Sequence, residues 1–130
     1  MTVATVRVLL ADDDPTFLVA LRALIDEQPH LAVAGTAANG LDAIELTDEL
    51  HPDAVVIDLH MPLLDGVSAV ARLRRDHPNL CLIALTADET PRIHEAVREA
   101  GADDVLLKDE FVEALMSQLR AAGAGSAGAG

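Results

Sequence analysis

Apolar residues along this chain fall into short continuous runs and longer periodic segments, and the two patterns alternate. The short runs are rich in Val, Ile and Leu and predict five β-strands, at about residues 6–11, 31–35, 55–58, 80–85 and 104–107. The longer segments space their apolar residues three and four apart and predict five helices. Because the strands are apolar throughout, we expect helices to cover both faces of the sheet.

Several helix ends are marked in the sequence. Two helices should begin at a capping residue followed by proline, at Asp14-Pro15 and at Thr90-Pro91. Asp109 is expected to cap the fifth helix.

The Gly- and Ala-rich residues 121–130 show no periodicity, so we expect a flexible tail or a truncated linker after a single domain at residues 1–120.

Strands that alternate with helices through short connections predict an α/β fold with a parallel sheet. Right-handed crossovers then favour one doubly wound (βα)5 domain whose five strands lie in the order 2-1-3-4-5. In this order the first and third strands are neighbours, and their carboxyl ends meet at the same edge of the sheet. Open α/β sheets bind their ligands at that edge.

Acidic residues follow both of these strands. Asp12, Asp13 and Asp14 come after the first strand, and Asp58 ends the third. Carboxylates that crowd together stay ionised only with compensation, and Mg²⁺ is a natural counter-ion for them. The simpler alternative is that the acidic run only caps the first helix. That role explains Asp14 but leaves Asp12 and Asp13 without a purpose, so a metal site is favoured.

Two other strand ends add polar groups. Lys108, the only lysine among nine basic residues, follows the fifth strand, and Thr86 ends the fourth. An ammonium group is a compact charge that suits a single phosphoryl oxygen, and a hydroxyl can bind an anion beside it. A chance surface lysine and a turn-forming threonine are the alternatives. Taken together with the acids, these residues predict a phosphoryl-transfer site with Asp58 as the acceptor.

Charge and composition exclude several classes of function. The formal net charge of −13 argues against contact with nucleic acid, which needs a cationic surface. No apolar run is long enough for a membrane span, and no leader with a basic start and an apolar centre begins the chain. We therefore expect a cytoplasmic protein that contacts neither nucleic acid nor membrane through this chain.

Four separated motifs resemble the receiver domain of two-component response regulators. In chain order they are Asp12-Asp13, then Asp58 with Met61-Pro62 and Asp65-Gly66, then Thr86-Ala87, then Lys108. The resemblance covers residues 6 to about 120 and implies a flavodoxin-like fold. Residues 101–109 look most like the subfamily that carries a helix-turn-helix output and regulates transcription.

The resemblance implies a role for each matching residue. Asp58 would accept a phosphoryl group from a histidine kinase or a phosphotransfer protein. Mg²⁺ would be held by Asp13, Asp58 and the backbone carbonyl of His60, with Asp12 assisting. The phosphoryl oxygens would be bound by Thr86, Ala87 and Lys108, which would switch the face made by the fourth helix, fifth strand and fifth helix. A homodimer could form through that face.

Other positions concern the lifetime and the output of the phosphorylated state. His60 and Asp88 lie two residues after the acceptor and the threonine, where the family tunes dephosphorylation. The family often has an aromatic residue where this chain has Val105, so output should work differently here. Asp109 stands where the family often has a proline with a cis peptide bond. A cis bond before any other residue costs about 3 kcal/mol, so we expect the Lys108–Asp109 bond to be trans.

Two alternatives come from other classes of protein. One is a phosphorylation-independent receiver that acts only as an interaction module, which the intact Asp58, Thr86 and Lys108 argue against. The other is a Mg²⁺-dependent phosphohydrolase, which usually needs a second acid two residues after its nucleophile, where this chain has His60. We expect no metabolic enzyme, only self-catalysed phosphorylation and dephosphorylation. The domain could be complete alone or could precede an output domain.

Overall fold

The computed structural model describes residues 5–61 and 65–129, with side chains to residue 122. Along these residues five strands alternate with five helices. In chain order they are β1 Val6–Ala11, α1 Pro15–Asp26, β2 Leu31–Ala37, α2 Gly40–Leu50, β3 Ala54–Asp58, α3 Gly66–Asp76, β4 Cys81–Thr86, α4 Pro91–Ala100, β5 Asp104–Leu107 and α5 Val112–Ala129. Pro62, part of one sequence motif, lies outside the described residues.

The five strands form one parallel sheet in the order β2-β1-β3-β4-β5, which confirms the predicted fold. In the register of the sheet, Asp58 lies opposite Leu85 and Thr86 opposite Leu107. The carboxyl ends of β1, β3, β4 and β5 therefore meet at the same edge. This arrangement decides which polar residues can come together.

The sheet separates two apolar layers. One layer packs α2, α3 and α4 against the sheet, and the other packs α1 and α5 against the opposite face. The central strand β3 is buried at every position, as its uninterrupted apolar sequence predicted. Burying one Leu or Ile side chain contributes roughly 1.5–3 kcal/mol, so these layers supply the main stabilisation of the site above them.

The helix starts agree with the sequence in two cases and differ in one. Asp14 caps α1, where its Oδ1 accepts hydrogen bonds from the N–H groups of Thr16 and Phe17 at 3.0 and 3.3 Å. Thr90 precedes α4 as predicted, although its hydroxyl makes no capping bond. The predicted cap at Asp109 is wrong, because residues 107–110 form a turn and α5 begins only at Val112.

Helix α5 continues to Ala129, beyond the point near residue 120 where the sequence predicts a flexible tail. Alanine has the highest helix propensity and allows this continuation, while each glycine opposes it by about 1 kcal/mol. The domain boundary at residue 120 therefore stays a prediction. Neither α5 nor any other helix of residues 5–61 and 65–129 is long and apolar enough to cross a bilayer.

Candidate functional site

The polar residues predicted from four strand ends do meet at the carboxyl edge of the sheet. Asp12 directly follows β1, and Asp58 is the last residue of β3. Thr86 ends β4, and Lys108 follows β5, where its backbone N–H donates to the Thr86 carbonyl at 2.9 Å. The Lys108 Nζ atom lies 2.6 Å from Asp12 Oδ2 and 3.4 Å from Asp58 Oδ2.

Three carboxylates at this edge could hold a metal ion. Asp12, Asp13 and Asp58 each offer an oxygen, and these atoms lie within 4.8 Å of one another. Among the residues with described side chains, no other group of acids, histidines or cysteines is arranged in this way. Asp12 and Asp58 are only 2% and 4% exposed, whereas Asp13 is open to solvent. Mg²⁺ prefers oxygen ligands and retains several of its bound waters. A group of carboxylates that is open to solvent on one side therefore suits this ion.

Asp12 has a partner at each of its carboxylate oxygens. Its Oδ1 accepts the backbone N–H of Asp14 at 2.9 Å. Its buried Oδ2 lies 2.6 Å from the Lys108 ammonium, and this ion pair compensates the charge of the buried carboxylate. Asp12 is therefore held in place beside Asp13 and Asp58.

Asp58 is held in a mixed environment. Burial raises the pKa of its carboxyl, and neighbouring Asp12 adds to the effect. The backbone N–H of His60, which donates to Asp58 Oδ1 at 3.2 Å, and the Lys108 ammonium act in the opposite direction without cancelling it. The carboxylate is thus poorly solvated and lies beside a fixed cation, which suits a nucleophile that must gain a phosphoryl group.

Lys108 remains a cation at this site. Burial lowers the pKa of its ammonium, but the contacts with Asp12 and Asp58 outweigh that effect and leave the pKa raised. The Nζ atom also lies 4.4 Å from the centroid of the Phe17 ring. Sequence reasoning missed Phe17, although one signal was available, because this chain has only two aromatic residues.

The Thr86 hydroxyl is fully buried and already has two partners. It accepts the backbone N–H of Asp88 at 3.0 Å and is hydrogen-bonded to His60 Nε2 at 3.2 Å. Asp88 in turn accepts from the Thr90 N–H at 2.8 Å, and its carbonyl bonds His94 Nε2 at 2.7 Å. His60 and Asp88, predicted from the sequence as a pair of tuning positions, are therefore linked through Thr86.

Three other positions were predicted from the sequence, at Ala87, Val105 and the Lys108–Asp109 peptide bond. Ala87 follows Thr86 at the same edge and is exposed. Val105 lies inside β5, where it is 5% exposed and opposite Ala84. The Lys108–Asp109 peptide bond is trans, as predicted.

Asp65-Gly66 has a structural explanation. Asp65 caps α3, with its Oδ1 accepting the Ser68 N–H at 2.9 Å. A Cβ atom on Gly66 would lie 2.5 Å from the Leu59 Cα, a distance that real side chains do not adopt. Glycine at this position therefore lets α3 approach the backbone that directly follows Asp58.

Comparisons with known proteins agree with this geometry. The family model for the response regulator receiver domain matches residues 8–120. The transcriptional regulatory protein YxjL of Bacillus subtilis is 37% identical over 123 residues, covering 94% of this chain and 56% of that protein. The nitrate/nitrite response regulator NarP of Escherichia coli is 34% identical, covering 92% of this chain and 56% of NarP. The chain thus spans about half the length of these relatives.

Solved structures have the same fold. The response regulator domain of Thermotoga maritima CheB superposes with a TM-score of 0.84 at 29% identity, covering 92% of this chain and 96% of that domain. The similarity to transcriptional and nitrate/nitrite regulators confirms the predicted family and its subfamily. The residues matched by the family model, 8–120, include the strand ends that carry Asp12, Asp58, Thr86 and Lys108.

Proposed function

This chain belongs to the family of response regulator receiver domains, and we propose that it is a phosphoacceptor whose Asp58 takes a phosphoryl group from a histidine kinase or phosphotransfer protein. One observation carries the proposal. The only lysine of the chain lies within 3.4 Å of the buried Asp58 carboxylate and 2.6 Å from Asp12. The Asp58 carboxylate and the incoming phosphoryl group are both negatively charged and repel each other. A cation held beside the carboxylate reduces this repulsion.

The transfer step is a displacement at phosphorus. An Asp58 carboxylate oxygen attacks, and a P–O bond of an acyl phosphate forms as the P–N bond of the donor phosphohistidine breaks. The electron pair of the broken bond returns to the imidazole nitrogen. Lys108 neutralises charge on the phosphoryl oxygens, and the Thr86 hydroxyl and Ala87 N–H donate hydrogen bonds to them.

Mg²⁺ is the proposed cofactor. Asp13, Asp58 and the backbone carbonyl of His60 would hold it, with Asp12 assisting. The grouping of carboxylate oxygens from Asp12, Asp13 and Asp58 within 4.8 Å of one another supports this assignment. When bound, the ion neutralises charge on the transferring phosphoryl group. The protein contributes the fixed carboxylates, because the strands that carry Asp12 and Asp58 are neighbours in the sheet.

The alternatives are less well supported. A Mg²⁺-dependent phosphohydrolase would need an acid two residues after the nucleophile, and this chain has His60 there. A phosphorylation-independent module would have no use for a lysine paired with two buried carboxylates. The relatives named above are regulators, and we propose no further catalytic activity for this chain.

The partners follow from the same proposal. The phosphoryl donor is a histidine kinase or phosphotransfer protein in the cytoplasm. Phosphorylation alters the face formed by α4, β5 and α5, through which a homodimer could assemble. This chain spans about half the length of the relatives named above, so the control of transcription named for YxjL is a property of that whole protein.

The intact mass of the protein after incubation with Mg²⁺ and acetyl phosphate tests the proposal. We expect one added phosphoryl group in the wild type, and none in the Asp58→Asn variant or when Mg²⁺ is chelated. Circular dichroism should show that the variant is folded. A folded wild type that gains no phosphoryl group would favour the interaction module, and equal phosphorylation of the variant would assign the acceptor elsewhere.

A further inference from the structure

The geometry points to Phe17 as a positioning residue that holds the Lys108 ammonium at the acceptor site, a role that rests on the function proposed above. The Lys108 Nζ atom has three neighbours. Two are the carboxylates of Asp12 and Asp58, and the third is the face of the Phe17 ring, 4.4 Å away at the centroid. The spacing of the sequence motifs assigns Phe17 no part in the site.

The ammonium needs such a neighbour because a lysine side chain is long and flexible. The Lys108 side chain remains 22% exposed, so one direction leads out of the site into solvent. An aromatic face attracts a cation through its quadrupole and takes none of the three N–H donors of the ammonium. The ring can therefore hold Nζ in place while its hydrogen bonds remain available for carboxylate or phosphoryl oxygens.

Phe17 is itself held firmly at both its backbone and its ring. It is the third residue of α1, and its N–H donates to the capping carboxylate of Asp14 at 3.3 Å. Its ring packs against Phe111, with 5.6 Å between centroids and an angle of 50° between planes. Phe111 is 6% exposed and belongs to the apolar layer between the sheet and α5.

The two phenylalanines of the chain are thus packed against each other at a tilt, and Phe17 lies beside the one lysine. If Phe17 served only to fill space, an aliphatic side chain of similar size would do equally well. Leucine or methionine keeps most of the volume but lacks the quadrupole, whereas tyrosine keeps the aromatic face. These substitutions separate attraction of the cation from packing.

The first experiment measures the rate of phosphorylation by acetyl phosphate with Mg²⁺, from intact mass at several donor concentrations. We expect Phe17→Leu and Phe17→Met to lower the rate at saturating donor by roughly two- to fivefold, the effect of losing a partly exposed cation–π contact. Phe17→Tyr should restore the wild-type rate. Thermal unfolding of each variant checks that the fold is retained, and the two aliphatic variants provide independent tests.

The second experiment observes the lysine directly and does not depend on phosphorylation. Protein labelled with ¹³C at lysine Cε gives one signal from this chain, because Lys108 is its only lysine. The aromatic ring should move the attached proton signal upfield in the wild type and in Phe17→Tyr. The same signal should lie near its random-coil position in Phe17→Leu and Phe17→Met.

Each outcome decides the matter. An unchanged lysine signal in the aliphatic variants overturns the proposed contact, and an unchanged phosphorylation rate overturns the positioning role even if the signal moves. A rate that falls equally in Phe17→Tyr would show that packing alone matters. A wild-type protein that gains no phosphoryl group would instead refute the proposed function, while the lysine signal would still report whether Phe17 holds the ammonium.

Discussion

Replacing His60 by alanine should make it easier for Thr86 to bind a phosphoryl group. The Thr86 hydroxyl is fully buried and is oriented by His60 Nε2 at 3.2 Å and by the Asp88 N–H at 3.0 Å. In the tautomer whose Nε2 carries no proton, His60 accepts the Thr86 O–H, and a phosphoryl group on Asp58 must then displace His60 to receive that hydrogen bond. One neutral hydrogen bond contributes about 1 kcal/mol, so its removal should strengthen phosphoryl binding by about fivefold.

Beryllofluoride, a stable mimic of the phosphoryl group, allows this to be measured as an equilibrium. Calorimetric titration with Mg²⁺ present should show about fivefold tighter binding to His60→Ala than to the wild type. In the Thr86→Val background, which has no hydroxyl, the substitution of His60 should have no effect. Equal affinities of His60→Ala and the wild type would refute the reasoning. A gain that persists without the hydroxyl would show that His60 acts on the anion by another route.

Other substitutions give independent tests. Burial raises the pKa of Asp58, so the ionised carboxylate destabilises the folded protein at neutral pH. Asp58→Asn removes that charge and should raise the free energy of unfolding measured in urea at neutral pH. The difference from the wild type should shrink as the pH falls through the raised pKa, because Asp58 is then protonated and uncharged. Asp12→Asn should weaken Mg²⁺ binding by about 10- to 100-fold in calorimetry, the usual effect of losing a group that supports the metal ligands. Gly101→Ala should lower the free energy of unfolding by about 2 kcal/mol or more, because φ is 126° and a Cβ atom would lie 2.5 Å from Arg74 Cγ. Gly35→Ala is the matched control and should cost less, because its nearest new contact is a flexible Leu50 methyl group at 3.0 Å. His60→Ala and Asp88→Ala should both change the acyl-phosphate lifetime, measured by loss of phosphoryl mass after the donor is removed; hydrolysis at the wild-type rate would refute a tuning role.

The fold and most of the site follow from the sequence because the strand pattern is strong. Once the strand order is known, Asp12 and Asp58 must lie on adjacent strands, and Thr86 and Lys108 must lie on the next two. Residue type then restricts the chemistry, since no other lysine competes for the role of Lys108. Strand ends in a parallel sheet are therefore predictable from order alone.

Contacts made by side chains across the top of the sheet were not predictable in the same way. The His60–Thr86 hydrogen bond and the position of Phe17 over Lys108 depend on rotamers and on the approach of α1. Asp109 shows a related limit, because a capping residue predicts a helix start only where the chain turns immediately into the helix. Here the turn after β5 ends before the helix begins, and α5 starts three residues later.

The hydrogen bonds of the loop between β4 and α4 give a route by which a change at Thr86 can reach the surface. Val105 is a buried aliphatic residue and offers no ring that could turn outward. The adjacent Asp104 is paired with Arg98 at 2.8 Å. The Thr86 hydroxyl instead accepts the N–H of Asp88, whose carbonyl bonds His94 in the first turn of α4. If Asp58 is phosphorylated as proposed, we expect Thr86 to rotate toward the anion and the first of these bonds to break. Because the second bond joins the same residue to α4, we expect the freed loop to displace the start of that helix, and so to take the role that an aromatic side chain on β5 would otherwise have.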